Sequence, residues 1–116
     1  MKSKYPNNII FKANEEKWAI WSKAGANGRV KEFISNSKRL RILELPAGFN
    51  EEEACLIGHQ GLVLTGNFII SVDGEDHKCC PGDFFSIPDG IPHKSRCDGN
   101  EITKVFVVDN NCKKGS

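Results

Sequence analysis

The chain has 116 residues, enough for one domain and too few for two. Lys and Arg number 16 against 15 Asp and Glu, and the resulting net charge of +1 excludes the basic excess that binding to nucleic acid or an anionic membrane surface requires. No run of about 18 apolar residues is present, so no membrane-spanning helix is expected. The polar start, residues 1–8, lacks the apolar stretch of a secretory signal, and a cytoplasmic protein is expected. The five cysteines are an odd number, and Cys79 adjoins Cys80, so reduced thiols are expected rather than a disulfide framework.

Taken in chain order, the first patterned stretch is residues 14–21. Asn14 could cap a short helix with Glu15 and Glu16 in its first turn, or the segment could be an edge strand carrying Trp18 and Ile20. Turn signals then recur at short intervals: Ala24-Gly25-Ala26-Asn27-Gly28, Pro46-Ala47-Gly48, Gly58, Gly66-Asn67, Asp73-Gly74, Pro81-Gly82-Asp83, Pro88-Asp89-Gly90 and Asp98-Gly99-Asn100. The runs between them are too short for most helices, which is the spacing of an all-β sandwich or barrel. The best strands are residues 40–45, 61–65, 68–72, 83–87 and 103–108, rich in Val, Ile, Leu and Phe. Asp73-Gly74 predicts a tight hairpin turn of type I′ after residues 68–72. Leu62, Leu64, Phe68, Ile70, Phe85, Ile87, Phe106 and Val108 are the candidate interior residues.

Two of the three histidines stand at turn-to-strand junctions. His77 follows the hairpin tip Gly74-Glu75-Asp76 and reads as solvated. His93 ends the stretch Gly82-Asp83-Phe84-Phe85-Ser86-Ile87-Pro88-Asp89-Gly90-Ile91-Pro92-His93. Proline fixes φ and glycine supplies a positive φ, so the turn at Pro88 and Gly90 is stiff and aims His93. The spacing G-x5-P-x-G-x2-H resembles the second conserved motif of the cupin family and matches it through His93. The family commonly has Asn four residues later, where this chain has Cys97.

The first cupin motif, G-x5-H-x-H, three or four residues, then E-x6-G, is altered at every ligand position. Anchored on Gly66, the family's Glu position falls on His59 and its two His positions on Glu53 and Cys55, with the leading glycine, Gly48, one residue too close. Glu53 and Cys55, at i and i+2, face one side if the segment is a strand. Gly58 permits a reversal, and His59 opens the returning strand.

The resemblance implies a cupin-type jelly roll, an antiparallel double-stranded β-helix, with a conserved core over about residues 38–110. It brings Glu53, Cys55, His59 and His93 to one interior point, a ligand set for one divalent transition metal ion: Fe, Zn, Ni or Mn. Glu51 is the reserve ligand for a register shift of two. Phe68, Ile70, Phe85 and Cys97 are the candidate substrate-binding residues, although Cys97 lies about 13 Å along a strand from His93.

The resemblance also implies a homodimer, and the apolar N-terminal segment, residues 1–37, is its candidate interface. The expected function is metal-dependent chemistry on a small organic acid or phenol, with an oxygenase ahead of an isomerase or lyase. A non-catalytic small-molecule or metal-binding sensor is the alternative. A metal-free sugar isomerase would need a pocket Tyr, and the one tyrosine, Tyr5, stands near the chain start. No catalytic acid or base is assigned.

Overall fold

The computed structural model describes residues 9–23 and 26–109. The turn expected at Ala24-Gly25, together with Tyr5 and Cys112, lies outside the described residues. A short 3-10 turn, Ala13–Glu15, precedes nine strands: β1 Ala19–Lys23, β2 Ala26–Ser35, β3 Lys38–Leu45, β4 His59–Thr65, β5 Phe68–Val72, β6 Glu75–Cys79, β7 Phe84–Ile87, β8 His93–Cys97 and β9 Thr103–Asp109. Both readings of residues 14–21 thus hold in part, since a helical turn is followed by an edge strand. The turn carries no side-chain cap, because Asn14 lies inside it.

The strands form two antiparallel sheets, one in the order β1-β2-β3-β9-β4-β7 and the other β6-β5-β8. The all-β jelly roll expected from the sequence is the fold observed. Chain reversals fall where φ can be positive: Asp73 and Gly74, both left-handed, turn β5 into β6 as predicted. His77 sits exposed on β6 rather than in a loop.

The core between the sheets holds Leu43 and Leu45 from β3, Val63 from β4, Phe68 and Ile70 from β5, Ile87 from β7, and Val105 and Val107 from β9. Phe68, Ile70 and Ile87 therefore face inward as expected. The parity expected for β4 and β9 is reversed: Leu64 is exposed, and Leu62, Phe106 and Val108 are only half-buried. The reason is local. β9 alternates Thr103, Val105, Val107, Asp109 on its inner face, and its pairing with β4 sets Gly61 opposite Val107 and Val63 opposite Val105.

The outer face of the six-stranded sheet is partly covered by the chain's own start. Phe11 stacks on Phe33 with ring centroids 5.0 Å apart, and the Lys31 ammonium donates to the Ala13 carbonyl at 2.8 Å. No helix among the described residues is long and apolar enough to cross a membrane.

Candidate metal centre

Three ligand-type side chains meet where the two sheets come together. Cys55 Sγ, one nitrogen of His59 and one of His93 all lie within 4.8 Å of one another. His59 opens β4 in the larger sheet, and His93 opens β8 in the smaller one. Cys55 joins His93 through an isolated antiparallel bridge: its N–H donates to the His93 carbonyl at 2.8 Å, and the His93 N–H donates back at 3.0 Å.

The turns that aim these residues are tied together. The Gly90 N–H donates to the Leu56 carbonyl at 2.8 Å, and the Gly58 N–H to Asp89 Oδ1 at 2.7 Å. Gly58 is required there, because a Cβ would stand 2.5 Å from the Ile87 carbonyl oxygen and 2.6 Å from the Asp89 nitrogen. The Pro88-Gly90 turn thereby packs backbone to backbone on the turn that delivers Cys55 and His59.

Second partners fix both imidazoles. His59 Nδ1 lies 2.6 Å from Asp109 Oδ1, and His93 Nδ1 lies 2.9 Å from the Ile91 carbonyl oxygen. Both partners only accept, so the tautomer they favour carries its proton on Nδ1 and leaves Nε2 as the ligand atom. Cys55 Sγ is 3.9 Å from His59 Nε2. His93 Nε2 is buried with no hydrogen-bond partner, which is what an imidazole awaiting a cation shows. The residues present fit a divalent transition metal.

Burial opposes charge on His59, but the Asp109 and Cys55 contacts outweigh it and raise its pKa. Burial likewise opposes the Asp109 carboxylate, yet His59, Arg41 and Arg39 hold it well below the usual carboxylate range. Asp109 is fully buried, with Arg39 Nε 2.5 Å from Oδ2 and Arg41 Nη2 3.1 Å from Oδ1. Burial pulls the Arg41 pKa down from its ordinary value, though it remains a cation.

Glu53 stands outside this group. It is exposed, on a bend at Glu52-Glu53, whereas Glu51 is buried and reaches the cavity. The alternation expected from a strand fails because residues 51–54 form no ladder; Glu51 and Cys55 turn inward at i and i+4. Glu51 Oε1 instead accepts the Ser95 N–H at 2.9 Å.

A cavity of about 310 Å³ opens beside Cys55 and His59. Phe68, Ile70 and Phe85 line it, as expected, with Arg39, Arg41 and Glu51 as its charged groups. Cys97 belongs to the packed core, where its N–H donates to the Phe49 carbonyl at 2.9 Å. It is not on the cavity wall. The sequence reading missed Asp109, Arg39 and Arg41, although each is a charged residue in phase with inward-facing Val or Leu on its strand.

Comparison with known proteins agrees with the geometry. The cupin domain profile matches residues 59–109. A search of curated proteins by sequence returns no match. The polyketide cyclase RemF from Streptomyces resistomycificus superposes with a TM-score of 0.77 at 19% identity, covering 90% of this chain and 79% of that one. A predicted oxalate decarboxylase from Thermotoga maritima gives 0.74 at 17% identity, covering 87% and 97%. KdgF from Halomonas sp. gives 0.70 at 16% identity, covering 89% and 94%. Residues 59–109 thus match the cupin domain, and the two-sheet barrel around them has the fold of these proteins.

Proposed function

We propose that the protein is a metal-dependent enzyme that holds one divalent transition metal ion through Cys55, His59 and His93 and acts on a small organic molecule in the adjoining cavity. The orphaned, buried Nε2 of His93, facing His59 and Cys55, is the observation that carries this reading. Three protein donors leave coordination positions open, as catalytic sites do and closed structural zinc sites do not. One thiolate and two imidazoles suit iron, zinc or nickel better than the harder manganese.

A bound ion supplies Lewis acidity, and redox chemistry if it is iron, as in a non-haem oxygenase. The chain's own residues do the rest. Asp109 and the Ile91 carbonyl hold the two imidazoles in the tautomer that ligates. Phe68, Ile70 and Phe85 exclude water and orient the substrate. Glu51 is the carboxylate on the cavity wall placed to hold a proton. The superposed proteins include a polyketide cyclase and a predicted oxalate decarboxylase, unrelated reactions, so the scaffold does not choose a substrate.

The test begins with reconstitution by iron, zinc, nickel, manganese and cobalt. About one equivalent per chain is expected, and less than about a tenth for every metal sinks the proposal. The cobalt form is expected to show thiolate charge-transfer absorption that Cys55→Ser abolishes, and Cys55 is expected to resist alkylation only in the loaded protein. Azide is expected to shift the cobalt ligand-field bands by entering an open position. Bands unmoved by saturating azide would indicate a closed site and favour a non-catalytic binding or sensor module.

A further inference from the structure

The cavity beside the metal cluster carries two guanidiniums and one small set of acids. Arg39 and Arg41 share the Asp109 carboxylate, while Arg39 also meets Glu32 Oε1 at 3.5 Å toward the exposed side. Glu51 is the acid on the wall itself, and its Oε1 accepts the Ser95 N–H. Arg41 is only 6% exposed, and its Nε has no hydrogen-bond partner. A guanidinium offers five donors and cannot shed its charge, so a buried N–H left unmet is costly unless something else completes it. The rest of the wall is mostly apolar, Leu45, Phe49, Phe68 and Phe85 among others, with Ser22, Ser95, Cys55 and His59 as its polar groups and Trp21 against Arg41 at 5.9 Å from Cζ to ring centroid.

We propose that this cavity takes a small organic monocarboxylate, its carboxylate received by Arg41 and its apolar body laid against Leu45, Phe49, Phe68 and Phe85. A planar carboxylate matches a guanidinium fork in shape and charge. A carboxamide of the same shape offers one acceptor oxygen and no charge, so it meets only part of the guanidinium fork and binds more weakly. The volume of about 310 Å³ suits a compact ligand rather than a nucleotide or an oligosaccharide. The inference rests on the cavity being the ligand site of the proposed enzyme, and it selects acids over phenols.

The test uses matched probes, benzoate against benzamide and hexanoate against hexanamide, titrated calorimetrically into metal-free and zinc-loaded protein. In the metal-free protein the acid of at least one pair is expected to bind about tenfold tighter than its amide. The Arg41 Nε–H resonance, identified by its loss in Arg41→Lys, is expected to move with the acid and stay put with the amide. Arg41→Met, if folded, is expected to lose the preference; if it does not fold, the wild-type resonance decides. The proposal is overturned by equal affinities in both pairs or by a preference that survives in folded Arg41→Met. It is equally overturned by an acid preference that needs zinc and leaves the Arg41 resonance unmoved. Failure of zinc to bind would remove the metal reading and leave the metal-free comparison to decide this one.

Discussion

His59 and Asp109 are direct cross-strand partners on β4 and β9, and their 2.6 Å Nδ1–Oδ1 contact converts a strand register into the orientation of a candidate metal ligand. The same carboxylate anchors Arg39 and Arg41, so one buried acid serves both the metal cluster and the cationic wall of the cavity. Asp109→Asn keeps the shape and removes the charge. Metal affinity is expected to fall about 10- to 100-fold in a zinc competition assay. Chemical denaturation of the same variant is expected to show a loss of about 3 kcal/mol, because two guanidiniums lose their anion.

Burial pushes the Cys97 thiol up to about 11, from an ordinary value of 9.0, with Thr103 partly opposing the shift. A raised folded-state value favours the protonated form, so its stabilisation is complete below pH 9.0 and is lost as pH rises toward about 11. The loss amounts to about 2 to 3 kcal/mol. Denaturation curves of wild type and Cys97→Ala are expected to differ in slope across that window; parallel slopes would show that Cys97 ionises freely.

Gly61 lies on β4 opposite Phe85, which lines the cavity. A Cβ there would stand 2.3 Å from Phe85 Cζ and 2.5 Å from the Phe106 carbonyl oxygen. Gly61→Ala is expected to destabilise by about 1 to 3 kcal/mol. Its ring shift is expected to narrow the cavity, so benzoate binding should weaken along with the denaturation midpoint.

We propose a homodimer, for which the outer face of the larger sheet offers a second candidate interface beside the N-terminal segment, residues 1–37. Phe84 is 81% exposed on the edge strand β7, beside half-buried Leu62 and exposed Leu64. An apolar row next to an unpaired edge invites a second copy. Light scattering is expected to give twice the 12.9 kDa chain mass for wild type and the single mass for Phe84→Asp, with unchanged metal content. A wild-type monomer would refute it.

What the sequence disclosed follows its punctuation. Proline and glycine at 88 and 90 aim His93, and β5 with its Asp73-Gly74 turn has the expected bounds, because these residues restrict φ locally. The side of the sheet that a residue faces is set by pairing across the chain, and that was not readable. Choosing Phe106 and Val108 as interior residues put Asp109 outside, and with it the partner of His59. At Glu51 and Glu53 the two-residue period misled for the opposite reason, since a bend replaces the strand there.

The strand that completes the site is β9, the last of the described chain, yet it lies between β3 and β4 in the middle of the larger sheet. A nascent chain leaving the ribosome therefore has no finished sheet until residues 103–109 emerge, and β3 and β4 wait as two open edges. Neither the anion for Arg41 nor the anchor for His59 exists before then. A product truncated ahead of Thr103 therefore carries Cys55, His59 and His93 without the carboxylate that fixes His59.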